Sequence, residues 1–571
     1  MKVQYNVIGS NVAGICAYIG NVDKVDKCYN KGTLQCNSQT TSAGIISRIN
    51  QLNSNIIITN TYNEGEIPNS YIASGIIGEI NIKADGVKIK TDKCYNSGKI
   101  ESEEEASGII ARIGNYSTKQ NSIEINNSYN TGEITAKEYS AGIITYISNI
   151  ENLKIDNTYN IGQINGYSSY TAGIITYMYG INNVEITNSY NAGNITAKTG
   201  NGCGGIIAYT SYPTKINLIE NCYNTGNITS SEGIKYMGGI IGYGDDSIYN
   251  IKKSYNKGNI NDAIGVAGGV IGYMNLYKDI NIEDCYNTGN VCSLSYNSSS
   301  QSKCGGIIGY VCGNINLQIQ NTYNSGEIIA GEFVGGIIGH KQNTYTKAYI
   351  YNCYNKGNLS RNVDVSSESA IAGITAVGEN TTLNKCYNTG KITSPYFVHY
   401  VGGIIGRGDT ETVIENSYNT GDIELHDGCN YIGGIIGQGS KKLCNVYNKG
   451  SITITGSYPS YESTKIGGIL GSSLNVIIEN CYNIGEIMVP SAVEKYTGAL
   501  IGYGSKVTMT NVYYSNNGVN IFGTESDITN TTQGNSYKSI DEMKKDEFVN
   551  ILNNGTNIWV KGTNNLPTIK I

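Results

Sequence analysis

Apolar and polar residues alternate in short runs along this chain, and the runs recur. In Ile216-Asn-Leu-Ile-Glu-Asn-Cys-Tyr-Asn-Thr-Gly-Asn-Ile-Thr229 the segment before the tyrosine carries apolar residues at a period of two. Such alternation with β-branched side chains predicts a half-buried strand. The position four residues before the tyrosine is apolar in fifteen of sixteen equivalent runs (Ile58, Ile125, Ile155 and Ile186 among them), with Thr91 the exception.

Each run leads into Tyr-Asn-x-Gly, which occurs fifteen times from Tyr29–Gly32 to Tyr482–Gly485 at intervals of 29 to 37 residues, with a decayed sixteenth copy at Tyr513-Tyr514. A second motif, small-Gly-Ile-Ile, interleaves with it, as at Gly204–Ile207, Gly238–Ile241 and Gly402–Ile405. Self-similarity at a period of about 32 residues marks a solenoid. The expected fold is all-β: a parallel β-solenoid (β-helix) of about 16 coils, right-handed by the default for crossovers. Each coil is expected to hold three short strands: the run before the tyrosine, Gly-x-Ile, and Gly-Gly-Ile-Ile-Gly.

Identical slots stacked coil on coil should form ladders. The residues expected to carry them are Tyr223, Asn224 and Gly226 of one coil, with Asn256, Asn287, Asn355 and Asn388 of others. A second Asn, two before the tyrosine (Asn60, Asn127, Asn157, Asn188, Asn221, Asn321), suits a corner because Asn tolerates left-handed backbone. Gly226, Gly258 and Gly390 are expected to supply positive-φ turns. The consecutive isoleucines cannot both point inward from one straight strand. One row must therefore sit at a corner, under the loops, or on an apolar stripe.

The repeat pattern spans residues 1–523. Residues 524–571 read as a C-terminal cap, with a capping box at Ser539-Ile-Asp-Glu542 before a helical segment. Phe548, Leu552 and Trp559, the last being the chain's single tryptophan, are expected to cover the final apolar layer. The chain opens in mid-repeat, with the first small-Gly-Ile copy at Ala13–Ile15, which leads to the expectation of a longer protein with a leader upstream. An open first edge would favour end-to-end self-association.

Composition sharpens this picture at two points. Net charge is −6 with both signs well mixed, so no basic patch suggests nucleic acid, and no run approaches a membrane span. Of fifteen cysteines, seven (Cys28, Cys94, Cys222, Cys285, Cys353, Cys386, Cys481) precede the motif tyrosine. Other copies hold Ser189, Thr322 or Val446 there, so the slot asks for a small buried side chain rather than a cross-link. Cys292, Cys304 and Cys312 surround one long loop where a local bridge is conceivable.

Little in the chain resembles a catalytic site. His340, His399 and His426 occupy unrelated positions and read as loop residues, with no zinc, nucleotide or nucleophile motif and no cofactor expected. The middle position of Gly-x-Ile holds Glu66, Glu133, Glu327, Asp422 and Glu486, but also Lys99, Lys391 and Gln163, which makes it a solvent-facing slot. Glu103-Glu-Glu105 and Asp245-Asp246 read as solvated loop carboxylates. The variable segments before the third strand are more suggestive, because solenoid insertions gather on one face. Two of them present Tyr396, Phe397 and Tyr400, and Tyr458 and Tyr461, side chains suited to sugars and protein partners.

Gly-Gly-Ile-Ile-Gly, then a strand, then Cys-Tyr-Asn-Thr-Gly-Asn-Ile, resembles the GLUG-motif repeat of bacterial surface and secreted proteins over roughly residues 11–518. The resemblance implies an extracellular or wall-associated bacterial protein. Some members are IgA-cleaving zinc peptidases, but the zinc motif of their catalytic domain is absent here. The expectation is therefore a non-enzymatic adhesin or extended display stalk, binding glycans or surface proteins through its loop-bearing face. The alternatives are a structural spacer or self-assembling fibre subunit and, less favoured, a polysaccharide-degrading β-helix.

Overall fold

The computed structural model describes residues 2–3, 7–9, 11–36, 39–116, 120–211, 213–245, 249–276, 279–293, 302–313, 316–342, 345–364, 368–426, 428–456, 464–516, 519–523, 530–531 and 535–570. The chain divides into two compact units, Met1–Asn290 and Val291–Ile571. Each is a parallel β-solenoid, and the chain counts about 15 turns in all.

One coil of the first unit shows the plan. It runs through Asn183–Thr187, Tyr190–Asn191, Ile195–Ala197, Gly200–Gly204 and Ile207–Ser211. Each segment pairs in parallel with its counterpart one coil on, for example Ile186↔Ile219, Tyr190↔Tyr223, Ile195↔Ile228 and Ile207↔Ile241. The five segments contribute to three sheets, because the first two share a sheet and so do the next two. Three sheets per coil match the number of strands expected, but Gly-Gly-Ile-Ile-Gly is not a strand of its own: Gly204 ends the second sheet's segment and Ile207 begins the third's.

The break in the first sheet is the Asn corner. Asn188 has φ 51°, and Asn60, Asn127, Asn157, Asn221 and Asn321 have φ between 48° and 55°. Lys27, Lys93, Lys253, Asp284 and Lys385 take the same conformation in other coils. The corner lets Ser189 face inward, Tyr190 outward and Asn191 inward again. Beyond Cys28, which is half-buried, the slot before the tyrosine is fully buried, holding Cys94, Ser128, Cys222, Cys353 or Val446 at 0% exposure. In the coil of Cys222, the thiol donates to the carbonyl oxygens of Ile186 and Glu220, both at 3.4 Å.

The isoleucine pair is buried whole: Ile206 and Ile207 are both at 0% exposure. A bend at Gly205-Ile206 separates the second sheet from the third, so the two side chains leave different sheets. Of the three placements expected for the extra isoleucine row, the corner is the one adopted.

Gly226, Gly258 and Gly390 do not have positive φ, contrary to expectation. A Cβ on Gly226 would lie 2.0 Å from the carbonyl oxygen of Gly193 in the preceding coil. Glycine is required there by the close approach of stacked backbones, not by turn geometry.

Candidate functional site: a tyrosine-lined bend

The bend that buries the isoleucines is concave on its outer side. Outward residues seven apart in sequence, one on each side of it, therefore meet. In the first unit these pairs include Tyr170 with Tyr177 and Tyr236 with Tyr243, whose ring centroids lie 6.0 and 4.9 Å apart, while the Tyr139 ring meets Tyr177 of the next coil at 6.2 Å. Coil-to-coil register then lines the tyrosines up: Tyr146↔Tyr177, Tyr177↔Tyr209, Tyr209↔Tyr243 and Tyr243↔Tyr273. Their centroids are 5.2, 4.9, 4.9 and 5.0 Å apart.

All eight of these tyrosines are half-buried. Burial raises the phenol of Tyr177 to about 12 and shifts Tyr139, Tyr170, Tyr209 and Tyr243 in the same direction. They are neutral donors and acceptors at physiological pH. Stacking occupies the ring faces along the row, which leaves ring edges and hydroxyls for a ligand.

Toward the N-terminus the same bend changes from aromatic to charged. Glu105 and Arg112 face each other, with the guanidinium Nε 3.1 and 3.3 Å from the two carboxylate oxygens. Glu105 is fully buried, and burial pushes its carboxyl up against the opposing pull of Arg112. The Arg112 guanidinium also stands 5.5 Å from the Tyr146 ring, so the ion pair closes one end of the aromatic row. The reading of Glu103–Glu105 as loop carboxylates is corrected: they lie on the strand Ile100–Ser107. Asp245 ends the strand Ile241–Asp245, and Asp246 lies outside the described residues.

In the second unit the bend carries mixed pairs. Lys303 Nζ stands 4.7 Å from the Tyr310 ring, Phe333 packs on His340 at 4.3 Å, and Arg407 stands 5.6 Å from Tyr400. Arg407 also pairs with Glu368 and Glu379. Two of the three histidines are therefore not loop residues: His340 lies on Ile338–Lys341 and His399 on Val398–Gly402, while His426 is exposed in a turn. The Nδ1 of His340 is buried without a hydrogen-bond partner, and burial depresses its pKa.

The loop residues singled out from sequence are only partly brought together. Tyr400 joins the bend, stacked on Tyr431 at 5.5 Å, whereas Tyr396 and Phe397 precede its strand and are half-buried. Tyr458 and Tyr461 lie outside the described residues. The Gly-x-Ile slot behaves as expected, with Glu66, Lys99, Glu133, Glu327, Asp422 and Glu486 exposed. The bend tyrosines went unrecognised as a group; their signal is Tyr-x6-Tyr spanning Gly-Ile-Ile, which only a bend converts into contact.

The ladders form as expected. Asn224 is fully buried; its Nδ2 donates to Gly226 O and to Asn256 Oδ1, both at 2.8 Å. Asn256 repeats this bond to Asn287 at 2.8 Å, and Asn355 repeats it to Asn388, also at 2.8 Å. Tyr223 stacks between Tyr190 and Tyr255 at 4.7 and 4.9 Å with ring planes within 3°. Unlike the Asn row, the Tyr row faces outward.

The C-terminal segment is seated on that outward row. Ser539 and Glu542 form the expected capping box of the short helix Ile540–Met543, and a second helix, Asp546–Asn553, follows it. Phe548, Leu552 and Trp559 are buried, but against Tyr447, Tyr482 and Tyr513. The expectation that they cover the final apolar layer is thus corrected: they cover the side of three successive coils.

Among the described residues no group of three or more His, Cys, Asp or Glu side chains is placed to hold a metal ion. No helix among them is long and apolar enough to cross a membrane. No family model matches the chain, and no curated protein matches it. Among solved structures it is similar to a Bacteroides ovatus protein named as a "putative immunoglobulin A1 protease", at 19% identity and a TM-score of 0.28, over 65% of this chain and 87% of that one.

Proposed function

We propose that this chain is a non-enzymatic, extracellular or cell-surface β-solenoid of the GLUG-like kind, acting as an adhesin or display stalk. The observation that carries the reading is the row of half-buried tyrosines in the bend of the first unit, from Tyr139 to Tyr273. A row of ring edges and hydroxyls in a concave line suits a hydroxyl-rich glycan or an extended protein segment. The variable segments run directly into it, since residues 198 and 199 separate Ile195–Ala197 from Gly200–Gly204. The contact face expected from the loops and the bend are therefore neighbours.

The test is binding of the purified chain to an array of host and bacterial glycans and matrix proteins, beside a Tyr177→Ala/Tyr243→Ala variant. Selective binding that drops at least about tenfold in the variant, with an unchanged circular dichroism spectrum, supports the reading; tenfold corresponds to about 1.4 kcal/mol. Binding indifferent to the variant, or none above background, overturns it. The second reading is a structural spacer, favoured by the buried amide ladder that links coil to coil whatever the surface binds.

A further inference from the structure

The seat of the C-terminal segment shows what the outward tyrosine row can hold. Tyr447 and Tyr482 are 2% and 0% exposed beneath it. The Trp559 ring lies 5.8 and 5.6 Å from theirs. Around Pro567 the coil supplies the donors: Tyr482 OH donates to Pro567 O at 2.5 Å and Lys449 Nζ donates to the same oxygen at 3.3 Å, while Tyr447 OH shares a hydrogen bond with Thr568 Oγ1 at 2.8 Å. In the reverse direction Trp559 Nε1 donates to Asn445 Oδ1 at 3.2 Å.

The coil residues of this seat spell Asn445-Val-Tyr-Asn-Lys-Gly450. Four copies of the repeat read Tyr-Asn-Lys-Gly, and two of those carry Asn two residues before the tyrosine: this one and Asn352-Cys-Tyr-Asn-Lys-Gly357. The two sites match in conformation as well as in sequence. Asn352 and Asn445 have φ 50° and 53°, and Lys356 and Lys449 stand 5.0 and 4.7 Å from the tyrosine two residues before them. Tyr354 continues into Tyr387, Tyr418 and Tyr447 at 4.8, 4.9 and 4.7 Å, so the second site is an extension of the occupied row. It differs in being uncovered: Tyr354 is half-buried and Lys356 exposed. Beside it on the same coil, Tyr349 and Tyr351 are 47% and 43% exposed.

We propose that Asn352, Tyr354 and Lys356, with Tyr387, form a docking site for an extended polypeptide segment of a partner. The segment resembles this chain's own C-terminus: an aromatic side chain that lies on the tyrosine rings, and a nearby backbone carbonyl that accepts from phenol and ammonium. This site is separate from the bend and independent of any glycan bound there.

The probe is a fluorescein-labelled synthetic peptide of residues 557–570, titrated with the full chain and read by anisotropy. Saturable binding is expected, weakened about tenfold or more by Tyr354→Ala/Lys356→Ala, as loss of two donors and a stacking surface implies. Tyr354→Phe, which removes only the hydroxyl and leaves the stack, should give a smaller drop. Tyr95→Ala/Ser97→Ala, at a copy without the Asn and Lys, should change nothing, and a peptide with Trp559→Ala should not bind. Absence of saturable binding overturns the proposal. So does binding unaffected by Tyr354→Ala/Lys356→Ala, which would place the peptide at the Tyr447 seat, or binding weakened equally by the Tyr95 control.

Discussion

Asn191 donates its side-chain amide to the Oδ1 of Asn224 at 2.8 Å across 33 residues of sequence, and both side chains are fully buried. The bond exists because coil pairing sets the same slot one strand spacing above itself, and an amide is both donor and acceptor. Each Asn also donates to its own coil's glycine carbonyl, so the row satisfies buried backbone while joining neighbours.

Removing one rung should therefore leave its neighbours unsatisfied. Asn224→Ala takes the acceptor from Asn191 and the donor from Asn256 and Gly226. Each buried group left without its partner costs about 1–3 kcal/mol. Urea denaturation followed by circular dichroism should show a clearly lowered midpoint; an unchanged midpoint would mean the ladder contributes no stability.

The stacked glycines make a paired test. Gly226→Ala forces a Cβ to 2.0 Å from Gly193 O, where only backbone could move aside. Overpacking of this kind costs about 1–3 kcal/mol or more. Gly20→Ala, with nothing within 4 Å of the added carbon, should be tolerated. Equal melting temperatures for the two variants would refute the close-approach account.

Arg112→Ala should destabilise for the opposite reason. It leaves Glu105 buried without its counter-charge; breaking a fully buried pair costs about 3–5 kcal/mol, and the cost here is smaller because the Arg112 side chain is 34% exposed. Replacing both as Glu105→Gln/Arg112→Met should recover part of the loss, which thermal melts of the two variants can compare.

Trp559 makes the C-terminal seat observable, since it is the chain's single tryptophan and 1% exposed. Its emission should be blue-shifted in the native protein. Phe548→Ala should lose about 3–5 kcal/mol locally and move the emission to the red before the β-sheet signal melts. Coincident loss of both signals would mean the segment and the coils unfold as one.

Lys341 should give the second unit an unusual pH profile. It is fully buried, donates to Thr346 O at 2.9 Å, and burial lowers its pKa to about 8. An unfolded lysine titrates near 10.4, so between about pH 8 and 10.4 the unfolded state binds more protons and stability rises with pH. Tyr387 acts oppositely: burial raises it to about 12, so its contribution is lost above about pH 10. Urea midpoints of the second unit should climb from pH 8 and fall beyond pH 10. Lys341→Met should be more stable than the parent at pH 7 and climb less steeply, the remainder coming from Lys303 and Lys449, which burial also lowers to about 8.

The repeat was legible at the level of slots. Ile186, Ser189, Asn191 and Gly193 each have counterparts one coil on, and parallel stacking makes any slot's own chemistry its neighbour's chemistry. The inward alternation, the left-handed Asn corner and both ladders follow from that rule. The place of the glycine after the ladder Asn is legible but its reason is not, because a turn and a close backbone approach leave the same residue in the sequence.

The sequence by itself determined the coil and its stacking partner, since a period of about 32 residues and a two-residue alternation leave few other ways to bury the apolar rows. Tertiary structure alone decided the direction in which the chain turns between sheets. The bend at Gly205-Ile206 buries both isoleucines and brings Tyr236 against Tyr243, although nothing in a linear pattern says whether a corner opens or closes around its outer side chains. It also decided that Phe548 and Trp559 lie along the flank of three coils, on Tyr447, Tyr482 and Tyr513. Apolar side chains seek any dry surface of matching shape, and the sequence records their need for one without recording where it is.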